Sequence, residues 1–302
     1  MTLDQGGHLT HGSPANWVSR IYDFEFYSID KDTELIDYED IEEKAKALKP
    51  RLIIAGGSSY SRLIDYERIA KIAKENDAYF MVDMAHIAGL VAAKVIPSPI
   101  PHADFVTSST TKTFCSARSG MVFCKKQHAK LLDKGTFPGA LGSMHLHTMA
   151  AKTWSFKYAG SEEFKAIMKQ VVINSRCLAS ELESYGFRIV SGGTDNHLLV
   201  ADLRGKKITG QVFQEALDSV GITVNKNMIP FDPENPAVTS GVRIGLTAVT
   251  QRGLKEKEIK QIASIMNKVA DAPQDEDNLA SCKAEARKLI ANFPLYPAGS
   301  FE

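Results

Sequence analysis

The sequence carries no excess of charge of either sign. Lys plus Arg and Asp plus Glu each number 36 among 302 residues, so the formal net charge is zero. A balanced surface offers no electrostatic footprint for nucleic acid, and no basic block offers one for a membrane surface. Cysteine is scarce. Cys115, Cys124, Cys177 and Cys282 form no C-x-x-C pair and no metal-ligand spacing. They read as reduced thiols, which suits a cytoplasmic compartment. Long apolar runs are also missing: the longest, residues 79–93, is broken by Asp83 and His86 and is no membrane span. The first residues lack the basic and apolar parts of a signal peptide. There are no internal repeats or low-complexity tracts.

What is present is ordinary for a globular protein: 44% hydrophobic and 24% charged residues. The length allows one large or two medium domains. Residues 3–27 are rich in glycine, histidine, serine and proline and read as loop, with a short strand near residues 21–27. Acidic residues at 37–40 open a helix that runs to about Leu48 and closes at Lys49-Pro50. A strand at 52–55 ends in Gly56-Gly57-Ser58-Ser59. The next helix turns Ile64, Ile69, Ile72 and Ala73 inward. Strands at 79–82, 104–107 and 121–124 follow, with a short helix at 87–93. This alternation predicts a mainly parallel sheet covered by helices. Helices at 146–158 and 162–184 are separated by Gly160-Ser161. Beyond them, strands at 188–191, 197–203, 222–224 and 241–245, with helices at 210–220, 255–270 and 278–292, predict an α+β arrangement. The boundary falls near Gly160, giving domains 1–160 and 161–302.

Two stretches organise the first half. Phe80-Met81-Val82-Asp83 ends an apolar strand in a carboxylate, and Phe105-Val106-Thr107 leads to Lys112, 29 positions after Asp83. A buried ammonium or carboxylate is costly unless paired, and tends to shift its pKa instead. One ligand satisfies both groups. The aldehyde of pyridoxal phosphate condenses with a lysine, and a carboxylate holds a proton on its ring nitrogen. Ligands of such sheets sit beyond the carboxyl ends of the strands, where Ser58, Asp83, His86 and Lys112 all fall. Taken alone, Lys112 could be a surface lysine, Asp83 a helix cap, Ser58 a turn residue and His86 a core histidine.

The blocks Val82-Asp83-Met84-Ala85-His86-Ile87-Ala88-Gly89-Leu90, Gly6-Gly7-His8-Leu9-Thr10-His11-Gly12 and Ser191-Gly192-Gly193-Thr194-Asp195-Asn196-His197 closely resemble the serine hydroxymethyltransferase family. The resemblance covers essentially the whole chain and corresponds to the later part of a family member. It implies a pyridoxal-phosphate enzyme of fold type I, like aspartate aminotransferase, with helices on both faces of the sheet and a smaller α+β C-terminal domain. By the same resemblance, Lys112 is the Schiff-base lysine and Asp83 the pyridinium partner. His86 and Ser58 lie beside the cofactor's phenolic oxygen, and His8 stacks on its ring. Arg243, between Val242 and Ile244, takes the amino-acid carboxylate through the rigid fork only a guanidinium offers. Arg118 buttresses the active-site loop. Leu3, Gly6, Gly7, Leu9 and Asn227 receive tetrahydrofolate, and His197 is structural.

The sequence departs from the family pattern in three places. Thr111 precedes the lysine where the family has histidine, which points to altered amino-acid preference, such as an α-methyl amino acid. Phe114-Cys115-Ser116-Ala117 replaces a loop of glycine and proline. Residues 138–143 break a pattern that reaches the phosphate of the neighbouring subunit's cofactor, a task still open to the backbone of Gly142 and Ser143. The family's first portion carries a substrate glutamate and a phosphate-gripping loop, and no segment here replaces them, so weak cofactor binding is expected. The resulting expectation is serine–glycine interconversion with one-carbon transfer to tetrahydrofolate, in a homodimer or homotetramer. Two rivals stand beside it: a catalytically weak structural partner, and an aldolase or transaminase of the same fold working without folate.

Overall fold

The computed structural model describes residues 1–296. Residues 297–302, part of the expected second domain, lie outside the described residues. The chain opens as loop, with one 3-10 turn at Trp17–Arg20. The strand expected at 21–27 does not form. Ile21 and Tyr22 are exposed and meet no sheet edge, and the only pairing nearby is a single bridge between Ile29 and Ile36.

Helix α1 (Tyr38–Leu48) begins where the Asp37 side chain accepts the N–H groups of Glu39 and Asp40, and it ends at Lys49 in the left-handed region. Strand β1 (Leu52–Ala55), helix α2 (Tyr66–Glu75), strand β2 (Tyr79–Asp83), helix α3 (Ala88–Ala92), strand β3 (Phe105–Ser109) and strand β4 (Gly120–Cys124) follow. The sheet order is β1-β2-β3-β4. The first three strands are parallel, with Ala55 opposite Val82 and Asp83 opposite Thr107, and β4 closes the edge antiparallel. All three parallel strands therefore deliver their following loops to one end of the sheet.

Burial alternates along these strands. Ile53, Ala55, Phe80, Val82 and Val106 are buried on one face, while Tyr79 and Leu52 on the other are exposed. Full cover is thus found on one face only among the described residues, not on both as expected. Asp83 and Thr107 share the more open face.

A short helix α4 (Ala129–Lys134), absent from the sequence reading, precedes α5 (Leu146–Ala159) and α6 (Glu162–Ser184). Ser161 caps α6 by accepting the N–H of Phe164. Strands β5 (Arg188–Ile189) and β6 (Leu198–Asp202), helix α7 (Gly210–Val220), strands β7 (Asn225–Asn227) and β8 (Gly241–Gly245), and helices α8 (Thr247–Gln251), α9 (Glu256–Asp271) and α10 (Glu276–Ile290) complete the chain. The second sheet runs β5-β6-β8-β7, all antiparallel. Its β7 starts at Asn225 rather than at 222, because Gly221 ends α7 with φ +87° and the ladder begins only where Asn225 meets Arg243. Helix α6 serves both cores. Phe164, Met168, Val171 and Val172 pack with the first sheet, and Leu178, Ala179 and Leu182 with the second.

Candidate active site

The loop after β1 sets one wall. Gly56 has φ +121°, and a Cβ there would lie 2.2 Å from the Asp83 carbonyl, so only glycine lets the two strand ends approach. The N–H groups of Ser58 and Ser59 donate to the Gly6 carbonyl, and the Ser58 hydroxyl donates to the Gly7 carbonyl at 2.7 Å. The N-terminal glycine segment is thereby tied across the strand ends. The Ser58 hydroxyl proton is spent on backbone and is not free for a ligand oxygen.

Asp83 ends β2. One carboxylate oxygen accepts the Ala85 N–H at 3.1 Å, and the other lies 3.1 Å from His11 Nε2. Burial alone would push this carboxyl up, but the His11 and Ala85 bonds outweigh it and hold Asp83 below its ordinary value. His11 lies 72 positions from Asp83, and sequence reasoning gave it no role. Its one signal was a place three residues after His8 in a glycine-rich segment. A depressed carboxyl contributes stability above its unfolded pKa and loses it as pH falls through the folded one. In His11→Leu burial loses its main opponent. The variant is expected to be less stable by ~1–3 kcal/mol near neutral pH, with the gap narrowing on acidification as Asp83 protonates. Thermal melts of both proteins across the carboxylate range check this, and a gap independent of pH contradicts it.

Lys112 follows β3 on a loop held by Thr113, whose hydroxyl donates to the His86 carbonyl at 2.8 Å and accepts the Gly89 N–H at 2.9 Å. Gly89 permits this contact, since a Cβ there would lie 2.1 Å from the Thr113 carbonyl. The Lys112 amine forms no hydrogen bond or ion pair among the described residues. Burial lowers its pKa, Asp83 opposes this, and Arg243 and Arg118 add to it. Lys112, Asp83, His86, His8, Gly57 and the strand end Thr107–Ser109 line one cavity of about 240 Å³, far above the ~15 Å³ one water requires.

His86 and His197 face each other, with Nδ1 3.4 Å from Nε2. Burial, then mutual and cationic neighbours, push His86 down to about 2; burial, Arg243 and Lys112 push His197 down to about 3. Both rings are neutral near physiological pH. Burial also lowers His8, with His11 adding and Asp83 opposing. From the second sheet, β8 sends Arg243 across to the loop after β1, where Nη1 donates to the Ser58 carbonyl at 2.8 Å. The two sheets are further joined by Arg62 with Asp195 at 3.3 Å, and by Glu34 with Arg188 at 2.9 Å.

Other expected residues lie apart. Arg118 is exposed and makes no hydrogen bond or ion pair among the described residues, but its charge acts on Lys112. Gly142 and Ser143 are exposed and do not line the cavity. Gly6 and Asn227 border a separate hollow of about 10 Å³ with Tyr60, room for one water at most. Leu3, Gly7 and Leu9 do not border it, and Leu3 and Leu9 are exposed.

A family model described as serine hydroxymethyltransferase matches residues 1–266. The chain belongs to that family. Serine hydroxymethyltransferases depend on pyridoxal phosphate and generally use tetrahydrofolate as co-substrate. They are typically oligomeric and act on small molecules. The cavity's donor set suits the cofactor: an unpaired amine, an ionised carboxylate and two neutral imidazoles around one opening. Among the described residues, no helix is long and apolar enough to cross a membrane.

Proposed function

We propose that this chain interconverts serine and glycine, passing the one-carbon unit to tetrahydrofolate. The observation that carries the reading is the partnerless Lys112 amine sharing one cavity with the ionised Asp83. Pyridoxal phosphate, held there by Lys112 and Asp83, would supply a conjugated ring able to take up the electron pair of the Cα–Cβ bond of serine. Asp83 would hold the proton on the ring nitrogen, and His11 holds Asp83. Lys112, its pKa lowered, is nucleophilic toward the aldehyde and afterwards a base within reach of the substrate. His8, which lines the cavity, would cover one side of the ring and exclude water. Arg243 grips the substrate carboxylate, which fixes the bond to be broken relative to the ring. Gly142 and Ser143 are assigned to the phosphate of a neighbouring subunit's cofactor.

That assignment needs a second copy of the chain. Leu131, Phe137, Leu141, Leu146 and Trp154 are all more than 60% exposed along α4, α5 and the stretch between them, an apolar surface of the kind that marks association. The division into domains near Gly160 is retained as a proposal, with α6 as the element common to both.

A second reading rests on Thr111 beside Lys112: cleavage of a β-hydroxy amino acid without folate, with Thr111 shifting the preference. Glycine release from serine, measured with and without tetrahydrofolate, separates them. Release that rises with tetrahydrofolate supports the first reading. Release indifferent to it supports the second, and no release at saturating cofactor returns the chain to the role of a structural partner.

A further inference from the structure

The facing rings of His86 and His197 lie 5.6 Å apart, centre to centre, at 31° to each other. A hydrogen bond between two neutral imidazoles needs one N–H and one bare nitrogen, so two arrangements compete. In the first, His86 donates from Nδ1, and His197 must carry its own proton on Nδ1. In the second, His197 donates from Nε2, and its Nδ1 is bare. His197 Nδ1 is buried and has no partner among the described residues. The first arrangement therefore leaves an orphan N–H in the interior, which folded proteins avoid most strictly. The second leaves only an unused lone pair. His86 Nδ1 is then the acceptor, and its proton resides on Nε2. That nitrogen has no partner among the described residues and is not closed off from solvent, on a ring that lines the cavity.

We propose that His197 is a positioning residue that fixes the tautomer of His86, so that His86 presents an N–H donor to an anionic oxygen of the ligand seated between Asp83 and Lys112. The inference rests on reading the cavity as a cofactor site. The other tautomer would set a nitrogen lone pair against that oxygen and repel it. His197 reaches its place because the Leu246 N–H donates to its carbonyl at 2.8 Å, anchoring it between β6 and the end of β8. Closure of the second sheet onto the first thus sets the protonation pattern of a side chain on the first.

The test reads the imidazole nitrogens of the ligand-free protein by NMR with isotope-labelled histidine. In the unmodified protein His86 is expected to carry its proton on Nε2, with Nδ1 bare. His197→Leu keeps the volume and removes the donor. His86 should then populate both tautomers, and retention of added pyridoxal phosphate should fall about tenfold, the loss expected for one hydrogen bond to a charged group. His197→Gln offers an amide N–H near the former Nε2 and should restore the tautomer and most of the retention. A space-filling role predicts instead that Leu and Gln behave alike. A proton on His86 Nδ1 in the unmodified protein overturns the proposal, and so does a His86 tautomer unchanged in His197→Leu. The unmodified spectrum decides even if a variant fails to fold. It is recorded without cofactor, so failure to take up pyridoxal phosphate would count against the cofactor reading separately.

Discussion

Lys112→Arg is expected to lower serine cleavage on the order of 10³-fold or more, since loss of a covalent nucleophile removes a whole reaction route. Arginine retains the positive charge and much of the length, so packing of the loop held by Thr113 is preserved. What it cannot do is deprotonate and condense with an aldehyde, because guanidinium stays charged throughout the accessible pH range. Lys112 is suited to the task by its setting. Burial and the neighbouring Arg243 and Arg118 lower its pKa despite Asp83, and no acceptor among the described residues holds the amine. Steady-state glycine formation, with far-UV circular dichroism to confirm folding, measures the loss. A variant retaining more than a tenth of the activity would remove Lys112 from the chemistry.

Asp83→Asn is expected to cost about 10²–10³-fold in turnover, the range seen when one preorganised electrostatic partner of a reacting group is lost. The amide keeps the size and can still meet the Ala85 N–H and the His11 ring, which lie 3.1 Å from the two carboxylate oxygens. It loses the negative charge that holds a proton on the ring nitrogen. The effect should therefore fall on the chemical step. Pre-steady-state measurement of cleavage under saturating cofactor separates this from weaker binding, and a variant impaired only in cofactor retention would contradict the assigned role.

Asp83, Lys112 and Arg243 stand out in the sequence for a physical reason. Asp83 and Lys112 are single ionisable groups at the ends of apolar strands, and Arg243 is a lone cation inside one, so each breaks a local pattern. His11 and His197 break no such pattern. What singles them out is contact 72 and 111 positions away, with Asp83 and His86, which no window of sequence contains. The helices with capping residues, α1 and α6 among them, fell where Asp37 and Ser161 placed them. The strand expected at 21–27 failed because β propensity needs a partner edge. The open face of the first sheet was equally hidden: alternating burial and full burial differ only in what lies opposite.

Reductive trapping with peptide mapping addresses the shared cavity most directly. The protein is incubated with pyridoxal phosphate, reduced with borohydride, digested and analysed by mass. A single pyridoxyl adduct on Lys112, greatly diminished in Asp83→Ala, is the predicted result. Adducts scattered over surface lysines, or none on Lys112 at saturating cofactor, would contradict it.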